Sequence, residues 1–324
     1  MGVSLPVAML HTHVPVDMPV WVINGRREGP RLFVSAALHG DELNGIEITR
    51  RLRGLSLLSG LRGTLILVPV VNVFGLLHHT RYLPDRRDLN RSFPGSERGS
   101  LAARLAHLFM TEIVARCTHG IDLHTGAVHR SNLPQVRARL DDEATRELAM
   151  AFGAPVVLDA RLRDGSLREA AAGHGIPTLI YEAGEALRFD ETAIRIGVAG
   201  ILSVMRSLGM LKQPRGARPR PEPVVASASY WVRAPEAGIL RSVTASGRRV
   251  ARDQVLATIS DPFGERDIPV VASHPGVVIG HNSLPLVNEG DALFHVARVD
   301  HPRAAEAALE AMTGSVLEDE DAEI

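Results

Sequence analysis

Short apolar runs alternate with amphipathic stretches along the first two thirds of the chain. Leu32–Leu38 and Leu65–Val71 are continuous apolar runs, which is typical of short strands buried on both faces of a sheet. In Leu101–Val114 the apolar residues recur at helical spacing, which predicts an amphipathic helix. Strands that alternate with helices predict an α/β fold, with a mostly parallel or mixed sheet and helices on both of its faces.

The same two patterns predict the remaining elements of this α/β region. Three further apolar runs are expected to be strands: Ile121–Leu123, Val156–Leu158 and Thr178–Tyr181. Four further amphipathic stretches are expected to be helices: Leu43–Leu52, Glu143–Phe152, Leu167–Ala172 and Glu191–Leu208. The alternation stops after Leu211, so residues 1–211 are predicted to form one domain.

A proline-rich segment separates this domain from the rest of the chain. Residues 212–223 contain four prolines and one glycine, which is typical of an extended linker. Beyond it, residues 224–300 show short strands in two similar units, Val232–Ile259 and Val271–Val296. The two units predict a small closed β sandwich, because closure removes exposed sheet edges. Residues 301–324 are predicted to be a short helix with an acidic, disordered end.

The β segment resembles the biotinyl and lipoyl carrier domains, which bear a modified lysine at a hairpin tip. No lysine occurs between Pro214 and Ile324. A role as a swinging arm is therefore rejected, and the segment is expected to act as a wall of a site or as an assembly surface.

Composition excludes several classes of function. Hydrophobic residues make up 45% and charged residues 23% of the 324 positions, and the net charge is −1, so no overall field favours nucleic acid or an anionic membrane. No apolar run approaches the roughly 20 residues that span a bilayer. The single cysteine, Cys117, excludes a disulfide framework, and no secretory signal is visible at the N-terminus. A cytoplasmic protein is expected.

Two short segments carry the candidate metal chemistry. His39 and Glu42 follow the apolar run that ends at Leu38, and His124 ends another apolar stretch beside Asp122. Two imidazoles and one carboxylate are the ligands of a catalytic zinc site, which leaves a fourth position for water. The alternative is a solvated histidine followed by a glutamate that the helix dipole favours. Asp122 is a candidate hydrogen-bond partner of a ligand histidine.

Further candidates lie on a long polar loop and at another strand end. The loop offers two arginines, whose planar forks suit a substrate carboxylate or carbonyl, and one asparagine, whose amide adds a hydrogen bond: Arg81, Arg91 and Asn90. A solvated basic loop explains these residues equally well. Glu182 follows the apolar run Thr178–Tyr181, where a carboxylate is costly unless it is paired or functional. It is the candidate general base and acid, with nearby Glu185 as the competitor.

Four motifs in this order resemble the succinylglutamate desuccinylase/aspartoacylase family, a branch of the zinc carboxypeptidase-like hydrolases. They are His39-Gly-Asp-Glu42, Asp88-Leu-Asn-Arg91, Asp122-Leu-His124 and Tyr181-Glu-Ala-Gly184. The resemblance implies a zinc-carboxypeptidase-like mixed sheet, a C-terminal β domain near the active-site mouth, and one Zn²⁺ per chain. It implies the zinc ligands His39, Glu42 and His124, the base Glu182, and the substrate contacts Arg81, Asn90 and Arg91.

One stretch departs from the family pattern. Residues 125–137 do not look like the corresponding loop of the aspartoacylases or succinylglutamate desuccinylases, so the identity of the substrate does not carry over. Within this stretch Asn132 and Arg137 are candidate alternative contacts to a substrate carboxylate or amide.

The predicted function is zinc-dependent hydrolysis of the amide bond in a small N-acyl amino acid or a related carboxylate-bearing amide. In that reaction Glu182 accepts a proton from water and passes it to the leaving amine, and Arg81 stabilises the oxyanion. Two alternatives stay open: a carboxypeptidase-like amidase acting on short peptides or cell-wall fragments, and a non-catalytic metal-binding assembly protein. The expected partner is the small-molecule substrate, without nucleic acid or membrane, and self-association into a homo-oligomer stays open.

Overall fold

A computed structural model describes residues 1–213 and 222–318 of the chain. The predicted linker, residues 212–223, lies largely outside the described residues, and so does the acidic end of the predicted tail. No helix in the described ranges is long and apolar enough to cross a membrane.

The described chain contains seventeen strands and seven α-helices. The strands before the linker are β1 Gly2–Met9, β2 Pro15–Asn24, β3 Arg27–Ala36, β4 Arg62–Val68, β5 His119–Gly126, β6 Arg130–Ala138, β7 Val156–Asp159 and β8 Thr178–Glu185. Those after it are β9 Val224–Ala226, β10 Ala228–Arg233, β11 Gly238–Ser242, β12 Arg249–Val250, β13 Val255–Ser260, β14 Asp267–Val271, β15 Gly276–Asn282, β16 Leu286–Val287 and β17 Ala292–Arg298. The helices are α1 Asn44–Gly54, α2 Val73–Leu77, α3 Leu101–Glu112, α4 Glu143–Phe152, α5 Leu167–Gly173, α6 Glu191–Ser207 and α7 Pro302–Glu318.

A large mixed sheet with helices on both faces forms the centre of the molecule, as the α/β pattern predicts. Its strands follow the order β1-β2-β4-β3-β5-β8-β6-β15-β17-β10, and β7, β9 and β12 pair at the side of this path. Strand β3 is parallel to β4 and β5, and β5 is parallel to β8. The carboxyl ends of β3, β5 and β8 therefore meet at one edge, where ligands of open α/β sheets usually bind.

Each face of the sheet is covered by its own helices, because each helix buries one apolar stripe. Helices α1, α4 and α6 contribute Ile48, Leu148 and Ile201 to the core on one face. Helix α3 contributes Leu105 and Phe109 to the core on the other. Side-chain caps begin several helices, including Ser100 before α3 and Asp190 before α6. These caps satisfy backbone N–H groups that have no partner within the helix.

All the predicted strands and helices of residues 1–211 occur in the structure, with ends that differ by several residues at most. The prediction missed the N-terminal hairpin β1–β2 and treated residues 125–137 as a loop, whereas Arg130–Ala138 is strand β6. Polar residues and Pro134 interrupt β6 and hide its strand pattern. Pairing with β7, β8 and β15 on its two sides supplies the order that the local pattern lacks.

The C-terminal segment continues the large sheet. Strand β15 pairs with β6 in antiparallel register, and β17 and β10 extend the sheet beyond it. A second sheet, in the order β14-β13-β11-β16, packs its apolar residues against this extension. The β segment is therefore joined edge to edge to the strands that lead to the candidate site.

Candidate metal centre and active site

The three predicted zinc ligands come together at the carboxyl edge of the sheet. His39 and Glu42 lie in the turn between β3 and α1, and His124 lies near the end of the adjacent strand β5. All three side chains are buried, and their ligand atoms lie within 4.8 Å of one another. Among the described residues this is the cluster of histidine and carboxylate groups that could hold a metal ion.

Gly40 allows this turn for a packing reason. A Cβ atom at Gly40 would lie 1.9 Å from the backbone carbon of Gly75, so only glycine fits against helix α2. Glu42 precedes α1, which begins at Asn44, and the Glu42 N–H donates to the His39 carbonyl at 3.2 Å. The tight turn returns the Glu42 carboxylate toward the His39 ring.

Both imidazole rings present the same nitrogen to the shared carboxylate. His39 Nδ1 lies 2.8 Å from Glu42 Oε1, and His124 Nδ1 lies 2.7 Å from Glu42 Oε2. The two Nδ1 atoms and the carboxylate thus surround one small volume. This arrangement directs the metal-binding lone pairs of all three residues to a common point.

The opposite nitrogen of each ring is held by a second carboxylate. His39 Nε2 lies 3.2 Å from Asp88 Oδ1, and His124 Nε2 lies 2.7 Å from Asp122 Oδ2. The other oxygen of Asp122 accepts a hydrogen bond from Ser35 Oγ at 2.7 Å. Carboxylates in this position fix the tautomer and orientation of metal-binding histidines.

The charges of the cluster depend on one another. Burial opposes ionisation of Glu42, but His39 and His124 outweigh it and hold the pKa of Glu42 below its ordinary value. Burial also opposes protonation of His124, yet Asp122 and Glu42 raise the pKa of its ring well above the usual range. A metal cation at this position would take the place of the imidazole protons, because it supplies the positive charge that the carboxylates select.

The donor set therefore fits zinc. It offers two imidazole nitrogens and one carboxylate, which is a common set of protein ligands in catalytic zinc sites. The rings are oriented with Nδ1 inward and Nε2 anchored, and the buried Glu42 has no other charged partner than these rings and Arg81 among the described residues.

Glu182 lies beside this cluster. Strands β5 and β8 are parallel, and Glu182 is paired in register with His124. Glu182 Oε2 accepts a hydrogen bond from Asn132 Nδ2 at 2.7 Å and forms an ion pair with Arg137 Nη2 at 3.0 Å. Strand β6 thus brings both candidates from the unusual stretch to the Glu182 carboxylate.

Arg81 reaches the cluster from the polar loop. Its Nε and Nη2 donate to Asp88 Oδ2 at 3.1 and 2.9 Å, and its Nη1 lies 3.5 Å from Glu42 Oε1. Asp88 therefore joins Arg81 and His39 in one network. Burial opposes the charge on Arg81, but Glu42 and Asp88 outweigh it and raise the pKa of the guanidinium group.

Asn90 and Arg91 lie on the same loop, against the segment before α5. Asn90 Oδ1 accepts a hydrogen bond from the backbone N–H of Leu167 at 2.9 Å. Gly165 packs so closely that a Cβ atom would lie 2.7 Å from the Arg91 carbonyl oxygen, and its φ of +71° also favours glycine. This contact places Arg163 near Arg91.

Arg163 is a site residue that the sequence did not single out. Its guanidinium group forms no ion pair with a carboxylate among the described residues. Partial burial lowers the pKa of Arg163, and the neighbouring charges of Arg137 and Arg91 lower it further. Arg91 likewise has no carboxylate partner within the described ranges, and its Nη1 donates to the Asn90 carbonyl. These cations are available to a ligand.

One cavity of about 640 Å³ contains the candidate metal ligands, Glu182 and these arginines. Eight arginines line it against three carboxylates. The arginines are Arg81, Arg91, Arg130, Arg137, Arg161, Arg163, Arg168 and Arg233, and the carboxylates are Glu42, Asp159 and Glu182. A cavity with this excess of guanidinium groups attracts anions.

The C-terminal segment supplies one wall of the same cavity. Trp231 on β10 stacks on His295 of β17, with ring centroids 4.5 Å apart and planes 5° apart. His295 Nε2 lies 2.8 Å from Ser229 Oγ. Burial, with Arg137 and Arg163 nearby, lowers the pKa of His295 to about 3, so this ring is neutral. The wall role expected of the β segment agrees with these contacts.

Known proteins match the chain over most of its length. The catalytic-domain profile of the succinylglutamate desuccinylase/aspartoacylase family matches residues 28–208. The chain is 28% identical over 299 residues to an N-alpha-acetyl-L-2,4-diaminobutyric acid deacetylase of Halomonas elongata, which covers 88% of this chain and 86% of the deacetylase.

Solved structures share the fold. A succinylglutamate desuccinylase/aspartoacylase from Rhodobacter sphaeroides superposes with a TM-score of 0.80 and 25% identity, over 91% of this chain and 94% of that one. The product-bound ectoine utilization protein EutE (DoeB) from Ruegeria pomeroyi superposes with a TM-score of 0.81 and 24% identity, over 91% and 93% of the two chains.

The fold, the arrangement of the site and these relatives agree on one protein family. The chain belongs to the succinylglutamate desuccinylase/aspartoacylase family, because the family profile matches more than half of its residues. The family resemblance stated from the four motifs is confirmed.

Proposed function

We propose that this protein is a zinc-dependent deacylase that hydrolyses the amide bond of a small, carboxylate-bearing N-acyl amino acid. One zinc ion per chain is held by His39, Glu42 and His124. The observation that carries the proposal is the direction of the two imidazole rings. Both Nδ1 atoms face Glu42, and both Nε2 atoms are held by carboxylates.

Zinc held by His39, Glu42 and His124 would supply a Lewis acid, which would polarise the scissile carbonyl and would lower the pKa of water toward ~7. The remaining steps belong to the side chains of the cavity. Glu182 takes the proton of the attacking water and passes it to the leaving amine. Its Oε2 is held by Asn132 and Arg137, so Oε1 is the oxygen that accepts the proton.

Arg81 stabilises the oxyanion that develops on the carbonyl. Its Nη1 lies 3.5 Å from the ligand Glu42, and its other nitrogens are fixed by Asp88, so the charge is preorganised beside the reacting group. Preorganised donors of this kind usually make a large contribution to acyl-transfer catalysis. Because Asp88 also holds His39, the same carboxylate orients the metal ligand and the oxyanion donor.

Asn90 and Arg91 bind the carboxylate of the amino acid, with Arg163 as a third donor. Arg91 and Arg163 lack carboxylate partners among the described residues, and a guanidinium group recognises a carboxylate through two parallel hydrogen bonds. The eight arginines of the cavity support a substrate with a net negative charge. They oppose a cationic side chain such as that of diaminobutyric acid, which is part of the Halomonas elongata relative's substrate.

The test is hydrolysis of a panel of substrates by protein with measured zinc content. The panel contains N-acetyl and N-succinyl derivatives of aspartate, glutamate, alanine and 2,4-diaminobutyrate, together with dipeptides. We expect turnover of acidic N-acyl amino acids, its loss with chelator, and its return with added zinc. Turnover of dipeptides alone would support the peptidase alternative, and zinc binding without any turnover would support the non-catalytic one.

Two variants test the metal site in the same experiment. His39→Ala and His124→Ala each remove one of three ligands, so both proteins are expected to contain much less than one zinc per chain. His119→Ala is the matched control, since His119 lies on the same strand as His124 but outside the cluster. Unchanged zinc in both ligand variants would contradict the assignment.

A further inference from the structure

The C-terminal β segment pairs with β6, and β6 in turn pairs with β8, the strand that carries Glu182, the general base proposed above. Strand β15 runs antiparallel to β6, and Gly280 is paired in register with Asn132. Both positions adjoin register shifts, in β15 between Val278 and Gly280 and in β6 between Asn132 and Gln135. Such irregularities commonly redirect a side chain next to an active site.

Asn132 links this strand pair to Glu182. Asn132 is 8% exposed, and its Nδ2 donates to Glu182 Oε2 at 2.7 Å. A hydrogen bond from a buried amide to a carboxylate orients both groups, because a charge-assisted hydrogen bond is strong and the amide has little access to water as a substitute partner. The position of the Asn132 amide therefore helps to set the position of the Glu182 carboxylate, which Arg137 also holds at 3.0 Å.

Gly280 provides the space that this amide occupies. A Cβ atom at Gly280 would lie 2.6 Å from Asn132 Oδ1, well inside van der Waals contact, and 3.2 Å from the Ser131 carbonyl oxygen. Asn132 Oδ1 is at the end of a side chain that can rotate, and the Ser131 carbonyl oxygen needs to move only slightly. An added methyl group would thus displace the Asn132 amide while the strand pairing persists.

We propose that Gly280 is a positioning residue for Glu182, through which the C-terminal β segment aligns the catalytic carboxylate by way of Asn132. This inference rests on the proposed role of Glu182 as general base. A second contact supports the same coupling, since Gln135, which is paired in register with Glu182, donates from Nε2 to the Ile279 carbonyl at 3.2 Å. The β segment therefore braces the strand on both sides of the Asn132 contact.

The test is a double-mutant cycle on kcat with Gly280→Ala and Asn132→Ala. Each single variant is expected to lower kcat by about tenfold to a hundredfold, the range expected when a catalytic group is misplaced or loses a charged hydrogen bond. Adding Gly280→Ala to Asn132→Ala should change kcat by no more than about twofold, because the amide that it displaces is gone. KM and zinc content should stay near those of the wild type.

A control separates positioning from loss of stability. Val287→Ala removes buried apolar volume from the core of the β segment without touching Asn132, so it should lower the melting temperature while kcat is kept. If the two effects on kcat are additive in the cycle, or if Val287→Ala lowers kcat as much as Gly280→Ala, the proposal is wrong.

A crystal structure of the Gly280→Ala variant gives a readout that does not depend on turnover. We expect the distance from Asn132 Nδ2 to Glu182 Oε2 to increase beyond about 3.5 Å, the limit of a hydrogen bond. An unmoved amide would overturn the inference even in an active enzyme. Conversely, a wild-type protein inactive on every substrate of the panel would contradict the proposed function, while the displaced amide would still establish the contact.

Discussion

Asp122 Oδ2 lies 2.7 Å from His124 Nε2, on the side of the ring opposite Glu42. The two residues are two positions apart on one strand, so the pleat places their side chains on the same face. Asp122 is fully buried and its other oxygen is held by Ser35. Asp122 can neither rotate away from the ring nor exchange it for water, and it fixes Nδ1 as the nitrogen that faces Glu42 and the proposed zinc position.

The first prediction follows from this contact. Asp122→Asn keeps the size of the side chain and the hydrogen bond from Ser35, but it removes the charge that orients His124. Zinc affinity is expected to fall by about 10–100-fold, as for other carboxylates that orient ligand histidines. Competition with a zinc indicator measures it. Asp159→Asn, in the same cavity but away from the ligands, should bind zinc normally, and equal affinities in both variants would contradict the role of Asp122.

The second prediction concerns the general base. Glu182→Gln should keep one zinc and the fold, because an amide still accepts the hydrogen bond from Asn132, but it cannot take a proton. The expected fall in kcat is on the order of 10²–10⁴-fold. Glu185→Gln is the matched control, since Glu185 accepts hydrogen bonds from the His129 backbone and from Ser283. Near-normal turnover by Glu182→Gln would move the base to another residue, with Glu185 tested first.

The third prediction concerns recognition of the substrate carboxylate. Arg91→Lys replaces a planar fork by a point charge, so KM for an acidic N-acyl amino acid should rise while zinc content is unchanged. The wild type should hydrolyse the primary amide of the same substrate poorly. In the Arg91→Lys variant, the difference in turnover between the acid and its primary amide should be smaller. Arg87→Lys, on the exposed part of the same loop, is the control. If the acid and its amide react equally well with the wild type, no carboxylate is recognised by Arg91.

The fourth prediction is a dependence of stability on pH that His295 causes. The pKa of its buried ring is lowered from 6.5 to about 3, so between these values the unfolded chain binds a proton that the folded chain does not. The free energy of unfolding therefore rises with pH across this window. The contribution of His295 to that free energy is lost as the solution is acidified toward pH 3. His295→Phe keeps a ring against Trp231 but cannot titrate, so its stability should change less steeply with pH.

Denaturant unfolding at several pH values between 3 and 6.5 measures this difference. Ser229→Ala is the control, because it removes the hydrogen bond to His295 and leaves the titrating ring in place. Equal slopes for the wild type and His295→Phe would show that the ring is not held neutral by its surroundings.

Local patterns were sufficient for much of the fold and for the metal cluster. The alternation of apolar strands and amphipathic helices predicted the layers of the fold. A strand buried on both faces gives a continuous apolar run, whereas a helix buried along one stripe gives apolar residues at helical spacing. The candidate ligands could be found because they lie at or shortly after the ends of apolar strands, and parallel strands bring such ends to one edge. The sequence also indicated the hydrogen-bond partner of His124, because Asp122 is two positions away and its side chain must point to the same face of the strand.

Contacts between distant segments could only come from the tertiary structure. Asp88 contacts the His39 ring, although the two residues are 49 positions apart in the sequence. Arg163 lies near Arg91 because Gly165 packs against the backbone of Arg91. Asn132 and Arg137, the candidate substrate contacts, both bind the Glu182 carboxylate, and these contacts depend on the register of β6 against β8. Register between antiparallel strands is set by pairing along their whole length, and β6 carries no alternating pattern that would reveal it.

The sequence by itself thus determined which residues lie at the edge of the sheet and what chemistry they offer. The tertiary structure decided how each group is oriented and what surrounds it. The orientation of a catalytic group depends on residues that contact its neighbours, such as Gly280. The lack of a side chain at Gly280 can be interpreted only once the pairing of Gly280 with Asn132 is known. A periodic pattern records burial, which is averaged over many residues, whereas the direction of one carboxylate depends on a few contacts between segments far apart in the chain.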